Sequence, residues 1–156
     1  MKDEKETKIS GLLMQNYEKY YRIAYSYVHN EADAQDIVQE SAYKAICQSN
    51  KLKKVEYADT WICRILMNEA ISFIRKNHRN NAQLEEMQGG SEDRYEDLDL
   101  KKALETLEVK EKTIIVLRFF EEMSLKQIAQ VLNENTNTVK SRLYRTLAKL
   151  KLSLDE

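Results

Sequence analysis

The segment Ser124–Arg145 constrains the fold most, because its apolar residues recur at helical spacing on both sides of a short turn. In its first half the apolar residues lie three or four positions apart, which predicts a helix: Leu125, Ile128, Ala129 and Leu132. From the second half of the segment to Leu154, a rotation of about 100° per residue gathers one apolar arc: Val139, Leu143, Leu147, Leu150 and Leu154. Two helices joined by a turn are typical of a helix-turn-helix, which presents its second helix to the DNA major groove.

The other side of the second predicted helix is polar and basic. It carries Thr138, Ser141, Arg142, Arg145 and Lys149, with Lys140, Tyr144 and Lys151 at its edges. From Lys140 to Lys151 there are five basic residues and no acidic one, so this face attracts phosphate. An amphipathic surface helix with a solvated basic face is the alternative interpretation of the same pattern.

Short-range signals predict where these two helices begin and end. Ser124 is expected to cap the first helix, with Gln127 as its partner at the third helical position. Asn133 lies where a residue often adopts positive φ, which asparagine tolerates. Asn135 is expected to cap the second helix through its side-chain oxygen.

The whole sequence contains no proline and only three glycines, two of them adjacent at Gly89 and Gly90. Because proline is a strong helix breaker and few segments alternate like a half-buried strand, an all-α fold is predicted. No apolar run approaches the length of a membrane span and the charged N-terminus lacks a signal peptide's apolar core, so a cytoplasmic location is expected. Cys47 and Cys63 lack CxxC spacing and are expected to be bystander thiols rather than a zinc or redox site.

Charge is unevenly distributed along the chain. Residues 1–80 carry 13 basic against 11 acidic residues and residues 100–156 carry 11 against eight, whereas residues 81–99 carry one against seven. The acidic stretch contains the glycine pair and is typical of a flexible linker. We therefore predict two small helical domains, 1–80 and 100–156, joined by the linker 81–99. The linker is either a solvated spacer or a nucleic-acid mimic that occupies a basic channel on a partner.

Two helices are predicted in the first half of the N-terminal domain. The first, Ile9–Val28, is rich in tyrosine, and the helical spacing of Tyr17, Tyr20 and Tyr21 predicts that most of these rings lie in the core. The second begins at Asn30–Asp33 and presents one acidic and amide face: Asp33, Asp36, Gln39 and Glu40. These carboxylates either favour the helix dipole or dock on a basic partner surface.

A third helix, predicted over Asp59–His78, is two-faced like the C-terminal one. Its apolar side contains Ile62, Leu66, Ala70 and Phe73, and its polar side Arg64, Asn68, Ser72, Arg75 and Arg79. Trp61 lies with the polar residues. Aromatic rings stack on unpaired bases, arginine neutralises phosphate and asparagine bonds base edges, so this stripe predicts a nucleic-acid contact. Trp61 alternatively anchors the helix start against its neighbour.

Three motifs in this order resemble an extracytoplasmic-function sigma factor. They are DAQDIVQESAYKAI at Asp33–Ile46, TWICRILMNEAISFIRKNHR at Thr60–Arg79, and LRFFEEMSLKQIAQVLNENTNTVKSRLYRTLAKLK at Leu117–Lys151. The match covers nearly the whole chain. The resemblance implies a protein that binds bacterial RNA polymerase core, directs it to promoters through their −35 and −10 elements, and helps to open the DNA.

The resemblance also implies roles for individual residues. Binding to the coiled coil and flap of core polymerase is implied for Asp33, Asp36, Gln39, Glu40, Leu117, Phe119 and Phe120, although most of the apolar set is expected in the core. Recognition and melting of the −10 element are implied for the third helix and the preceding loop: Lys51, Lys53, Lys54, Trp61, Arg64, Asn68, Ser72, Arg75 and Arg79. Recognition of the −35 element is implied for Thr138, Lys140, Ser141, Arg142, Tyr144, Arg145 and Lys149.

The sequence departs from the family pattern at four positions. Ser72 stands where many members have an acidic residue, which bears on −10 preference. Glu134 replaces a common apolar residue of the turn, Asn133 the usual glycine, and Ala42 a bulky apolar residue. These three changes are expected to affect local packing more than function.

No enzymatic activity is expected, because the sequence shows no evident nucleophile, metal cluster or glycine-rich phosphate loop. Neither a metal, a cofactor nor a small-molecule substrate is therefore expected. The resemblance implies an anti-sigma factor, often membrane-anchored, as a further partner. Two other classes stay open from the residues alone: a stand-alone repressor or activator that binds paired half-sites as a dimer, and a helical enzyme or metal-binding bundle, for which ligand sets of the Glu-x-x-His kind are lacking.

Overall fold

The computed structural model describes residues 4–80 and 102–155, with the side chains of residues 4–77 and 102–151. Within these ranges all regular structure is helical, which confirms the all-α prediction. The predicted linker 81–99 lies outside the described residues. The helices form two compact units, the first built on residues 4–77 and the second on most of residues 102–155. None of the described helices is both long and apolar enough to cross a lipid bilayer.

The first unit contains four helices where the sequence predicts three. They are α1 (Glu4–Gln15), α2 (Tyr17–Val28), α3 (Glu31–Cys47) and α4 (Ala58–Asn80), with short 3₁₀ turns at Ser49–Lys51 and Val55–Tyr57 before α4. The prediction of one continuous helix from Ile9 to Val28 is wrong. The chain leaves helical geometry at Asn16, where φ is −109° and ψ is 25°.

Two adjacent residues form the corner between α2 and α3, which pack against each other. His29 ends α2 in the left-handed region, with φ of 56°, and its backbone N–H donates to the Tyr25 carbonyl at 2.8 Å. Asn30 then caps α3, because its side-chain oxygen accepts from the backbone N–H of Asp33 at 2.9 Å. The cap satisfies an amide that the first helical turn leaves unpaired.

The tyrosines of α2 divide between the core and the surface. Tyr20 and Tyr27 are buried, whereas Tyr17 is 42% exposed and Tyr25 is 39% exposed. Tyr17, Tyr21 and Tyr25 form a ladder with His29, with successive ring centroids 6.4, 6.0 and 6.2 Å apart. A four-residue step advances about 40° around a helix, so the ladder drifts away from the buried face. The prediction that most of the rings of Tyr17, Tyr20 and Tyr21 lie in the core is wrong, because only Tyr20 is buried and Tyr21 is half-buried.

The second unit begins with a helical turn at residues 102–105. It continues with α5 (Val109–Ile115), a π-helical turn (Val116–Phe120), α6 (Leu125–Leu132) and α7 (Thr136–Asp155). The π-helical turn is closed by the Glu121 N–H, which donates to the Val116 carbonyl at 3.0 Å. Glu122 follows with φ of 56°, in the non-helical stretch that precedes α6.

The helix ends predicted around the turn are confirmed. The Ser124 N–H donates to Oε1 of Gln127 at 2.9 Å and the Gln127 N–H to Oγ of Ser124 at 3.1 Å, which forms a capping box. Asn133 has φ of 56°. Oδ1 of Asn135 accepts from the Asn137 N–H at 2.7 Å. The helix-turn-helix is therefore specified by contacts between residues close in sequence.

Candidate promoter-binding and polymerase-binding surfaces

The first half of α7 presents a polar face to solvent and an apolar face to the core. Val139 and Leu143 are buried. The residues exposed on the other side are Thr138, Lys140, Ser141, Tyr144 and Arg145. Two cations that form no ion pair with the described residues, two hydroxyls, a phenol and the positive end of a helix dipole form a surface that suits duplex DNA. We call these five residues the α7 face.

Two further basic residues of α7 are paired with carboxylates of the same unit. Nη1 of Arg142 donates to Oε1 of Glu134 at 2.7 Å, and Arg142 is half-buried. Nζ of Lys149 donates to both carboxylate oxygens of Glu111, at 3.1 and 2.8 Å. The Lys149 side chain is 55% exposed, whereas that of Glu111 is 10% exposed.

The same two glutamates also bind groups outside α7. Oε2 of Glu134 accepts from Nζ of Lys110 at 2.8 Å, and this hydrogen bond, with that from Arg142, holds the pKa of Glu134 below its usual value. Oε1 of Glu111 accepts from the Glu108 backbone N–H at 3.1 Å. Burial raises the pKa of Glu111, but the hydrogen bonds from Lys149 and Glu108 outweigh it and the net shift is downward.

The loop before α4 presents three lysines that the sequence assigns to −10 capture. Lys51, Lys53 and Lys54 are exposed, while Leu52 between them is buried and fixes the loop. Nζ of Lys54 lies 5.8 Å from the ring centroid of Tyr57, a cation–π contact. Tyr57 is 37% exposed and was not among the predicted site residues, although an aromatic residue close to loop lysines is a signal for base stacking.

The start of α4 is anchored by a buried phenol. The Tyr20 hydroxyl donates to Oδ1 of Asp59 at 2.7 Å, and Nζ of Lys19 donates to Oδ2 at 2.7 Å. Burial, and then the hydrogen bond to Asp59, raises the pKa of Tyr20 far above its ordinary value. Trp61 and Arg64 follow Asp59 by two and five residues in α4, and both are half-buried.

The rest of the predicted −10 stripe lies further along α4. Asn68, Ser72 and Arg75 are exposed, and the Arg79 side chain lies outside the described ones. Ser72 belongs both to the predicted −10 stripe and to the lining of a groove between α3 and α4.

The acidic face of α3 borders that groove. Asp36, Gln39 and Glu40 are exposed and line it together with residues of α4, namely Glu69, Ser72, Phe73 and Lys76. An ion pair between Lys44 and Glu69 joins the two helices beside them. Asp33 differs from the exposed carboxylates Asp36 and Glu40: it is half-buried and accepts a 2.9 Å hydrogen bond from Nδ2 of Asn30. Its contacts are those of a helix cap.

The apolar set predicted to meet the polymerase flap separates into core and surface. Leu117 is 1% exposed and belongs to the core, where most of this apolar set is expected to lie, so it is not proposed as a flap contact. Phe119 and Phe120 project from the π-helical turn and are 53% and 57% exposed. Nη1 of Arg118 donates to the Met123 carbonyl at 2.9 Å and closes the turn behind them.

Comparison with known proteins decides the family. Residues 12–80 match the family Sigma-70 region 2 and residues 97–150 match Sigma-70, region 4. The RNA polymerase sigma factor SigV of Bacillus subtilis is 41% identical over 160 residues, which cover 99% of this chain and 96% of the relative. The chain belongs to the extracytoplasmic-function sigma factors of the sigma-70 family. As a sigma factor, it binds RNA polymerase core and promoter DNA and directs promoter-specific initiation.

Further relatives agree with this membership. The ECF RNA polymerase sigma factor SigW of Bacillus subtilis is 29% identical, with 82% of this chain and 79% of the relative covered. The sigma factor RpoE from Bartonella quintana, solved in complex with the anti-sigma factor NepR, has a TM-score of 0.73 at 23% identity, with 94% and 96% of the two chains covered. CnrH in complex with the cytosolic domain of CnrY has a TM-score of 0.67 at 24% identity, with 94% and 87% covered. These two structures support the fold.

The relatives are sigma factors, which are not enzymes. In the part of the chain that the structure describes, no group of three or more His, Cys, Asp or Glu residues is arranged to hold a metal ion.

Proposed function

We propose that this sigma factor reads the −35 element with the α7 face: Thr138, Lys140, Ser141, Tyr144 and Arg145. The observation that carries the proposal is that these side chains are exposed together on a helix whose opposite side is buried. Lysine and arginine supply phosphate attraction, and arginine can also donate two hydrogen bonds to a guanine edge. The C-terminal domain, residues 100–156, would thus act on duplex DNA.

For the −10 element, we propose that the N-terminal domain, residues 1–80, holds separated strand. Lys51, Lys53 and Lys54 would attract its phosphates, Trp61 and Tyr57 offer rings for stacking, and the polar residues of α4 offer bonds to bases: Arg64, Asn68, Ser72, Arg75 and Arg79. Extruding a base costs a few kcal/mol, and capture of that base offsets the cost without covalent chemistry. The chain itself would be catalytically inert, since polymerase makes the phosphodiester bonds.

Docking on polymerase core is proposed for two separate surfaces. The exposed residues Asp36, Gln39 and Glu40 beside the α3–α4 groove suit the coiled coil of the largest subunit, and the exposed pair Phe119 and Phe120 suits an apolar site on the flap. Asp33 would contribute through the cap of α3 rather than by direct contact. The protein would work in the cytoplasm, where its polymerase is.

An anti-sigma factor is proposed as a regulator, anchored at the membrane or free. Support comes from RpoE of Bartonella quintana, which was solved with the anti-sigma factor NepR. Identity to that structure is 23%, so the proposal concerns the class of partner and not its sequence.

Reconstituted transcription tests the assignment of the α7 face. The full-length chain is mixed with bacterial RNA polymerase core and genomic DNA, and the 5′ ends of the transcripts are mapped to find the shared promoter elements. Arg145→Ala is expected to lower transcription from those promoters about tenfold, the size of one lost base contact, with core affinity unchanged. Lys126→Ala, an exposed basic residue of α6 outside the α7 face, is the matched control. A parallel loss of core affinity in Arg145→Ala would contradict the assignment.

The −10 assignment has a separate test. Asn68→Ala is expected to slow promoter opening, measured as the rate at which thymines become reactive to permanganate in the complex with polymerase. An unchanged rate and an unchanged −10 preference would contradict a role for Asn68.

A further inference from the structure

The seven residues of α7 that the family resemblance assigns to DNA differ in how they are already bonded. Arg142 and Lys149 each pair with a carboxylate of the same unit. Lys140 and Arg145 make no ion pair with any residue that the structure describes. These four basic residues of α7 are therefore of two kinds: Arg142 and Lys149 are already paired, and Lys140 and Arg145 are available to contact phosphate.

Glu134 connects three segments of the C-terminal unit. It lies in the turn between α6 and α7, and its two carboxylate oxygens accept from different helices, Oε2 from Lys110 of α5 and Oε1 from Arg142 of α7, at 2.8 and 2.7 Å. We call these three residues the Glu134 clamp. Because both oxygens are used, one side chain sets the position of the turn relative to α5 and to the second turn of α7.

Two of the three clamp side chains are sheltered from solvent, whereas that of Lys110 is 51% exposed. The Glu134 side chain is 18% exposed and that of Arg142 is 23% exposed. Removal of one partner from a partly buried ion pair leaves the other charge without full compensation. A phosphate contact that required Arg142 to leave Glu134 would therefore yield less binding free energy than the same contact made by an unpaired arginine. A carboxylate beside the DNA would also repel the phosphate that Arg142 has to approach.

Glu111, the residue after Lys110 in α5, repeats the arrangement about two helix turns further along α7. Its buried carboxylate accepts the Glu108 backbone N–H of its own capping box and both hydrogen bonds from Lys149. Burial of a carboxylate is tolerated when it is paired and hydrogen-bonded. Lys149 is thus the cation that makes the buried Glu111 acceptable at the contact between α5 and α7.

We propose that Arg142 is a positioning residue, held with Lys149 by the carboxylates Glu134 and Glu111, so that Lys140 and Arg145 carry the phosphate contacts of α7. The inference rests on the proposed role of the α7 face in binding the −35 element. The clamp fixes how α7 is presented, and the free cations engage the DNA. Glu134 is the decisive residue, because each of its carboxylate oxygens holds one cation, Lys110 through Oε2 and Arg142 through Oε1.

Salt dependence distinguishes a contacting cation from a clamped one. Each phosphate contact contributes a slope of about −0.9 to log K against log salt, which is about a 3.5-fold loss of affinity between about 50 and about 200 mM salt. The full-length chain, assembled with RNA polymerase core, is titrated with a fluorescent promoter duplex over this range. Arg145→Gln and Lys140→Gln are expected to flatten the slope by about one contact each. Arg142→Gln and Lys149→Gln are expected to have the same slope as the unsubstituted protein but a lower melting temperature.

Glu134→Gln gives the converse result. Loss of the carboxylate frees Arg142 and removes a repulsive charge, so the slope is expected to steepen by about one contact. The affinity for DNA then falls about 3.5-fold further over the same salt range. In the double variant Glu134→Gln/Arg142→Gln that gain is expected to vanish. The pair of glutamines restores a neutral hydrogen-bonding pair, so this comparison also decides the question if Arg142→Gln alone fails to fold.

Two results would overturn the clamp. The first is that Arg142→Gln flattens the salt-dependence slope as much as Arg145→Gln does. The second is that Glu134→Gln and the double variant have the same slope. If Arg145→Gln and Lys140→Gln leave the slope unchanged, the proposed α7 face fails instead. The clamp is then judged by thermal unfolding of Glu134→Gln, Arg142→Gln and the double variant. Strong coupling between positions 134 and 142 supports the clamp, and additive effects overturn it.

Discussion

The hydroxyl of Tyr20 donates a 2.7 Å hydrogen bond to Oδ1 of Asp59, which joins the buried face of α2 to the first turn of α4. Tyr20 is 1% exposed, so its hydroxyl has no access to water that could replace the carboxylate. The contact matters for function because α4 carries the residues proposed to hold the −10 strand. The position of that helix start depends on a residue that touches no DNA.

Tyr20→Phe is expected to lower the free energy of unfolding by about 2 kcal/mol, since a hydrogen bond to a charged group is lost and Asp59 keeps only one of its two partners. Chemical denaturation followed by circular dichroism measures the change. Lys19→Gln removes the other partner, which is more exposed, and is expected to cost less than about 1 kcal/mol. Equal effects of the two substitutions would contradict the importance assigned to the buried hydroxyl.

Glu122→Gly is expected to stabilise the protein. Glu122 is exposed and has φ of 56°, a conformation that costs a side chain about 1–2 kcal/mol and glycine nothing, so a net gain of about 0.5–1 kcal/mol remains after the entropic cost of glycine. Asn133→Gly is the matched comparison, because Asn133 has the same φ but asparagine tolerates it. Thermal melting should rank Glu122→Gly above Asn133→Gly, and the reverse order would argue against strain at Glu122.

Acid is expected to weaken the C-terminal unit through Glu134. Its folded pKa is lower than the ordinary 4.5 because of the hydrogen bond from Lys110 and then that from Arg142, so the ionised form favours the folded state. This contribution is complete above pH 4.5 and is lost as the pH falls through the lower folded pKa. Glu134→Gln should therefore flatten the decline of unfolding free energy below pH 4.5, measured by denaturant titrations at several pH values. Glu56→Gln, a change at an exposed glutamate, serves as the control and should leave the decline as it is.

Asp36→Arg is expected to weaken binding to RNA polymerase core at least tenfold while promoter contacts by the assembled complex stay unchanged. A reversed charge in the centre of the exposed acidic face places like charges against a basic surface, which costs several kcal/mol at an interface. Fluorescence anisotropy of labelled protein against core polymerase measures the affinity. Glu31→Arg, an exposed acidic residue at the beginning of α3, is the matched reversal, and a loss as large as that of Asp36→Arg would show only a general charge effect.

Phe119→Ser/Phe120→Ser is expected to leave the melting temperature within a few degrees, because both rings are more than half exposed. Transcription that depends on the −35 element should fall at least tenfold, since an exposed aromatic pair is the kind of feature that dominates binding energy at an interface. Leu117→Ser is the contrasting change: Leu117 is buried, and this variant should lose stability first. Normal −35-dependent transcription in the double serine variant would refute the flap assignment.

Much of the second unit is predictable from neighbouring residues. The capping box of Ser124 and Gln127, the positive φ of Asn133 and the cap by Asn135 all follow from residues within three positions of one another. The buried stripe of Val139 and Leu143 follows from rotation about one helix axis. Such features depend on local geometry, which a sequence specifies directly.

The roles of other residues depend on partners distant in sequence. Tyr17 has the same spacing from apolar neighbours as Tyr20, yet it is 42% exposed and Tyr20 is 1% exposed, because the position of the packing helix selects which arc is covered. Leu117 and Phe119 differ in the same way within one π-helical turn, where Leu117 is buried and Phe119 is exposed. Helical periodicity gives the angles between side chains around the helix axis, but it does not tell which side of the helix the core covers.

The amino-acid order alone determined the helical class, the helix-turn-helix and the family, since these rest on short-range patterns and on motifs in a fixed order. Only the tertiary structure decided which charges are free. Lys110 and Glu134 stand 24 positions apart and Glu111 and Lys149 38 positions apart, and no periodicity within one helix encodes these pairs. They exist because α5 packs against α7 and the turn before it, which brings opposite charges within hydrogen-bonding distance where each carboxylate is partly buried.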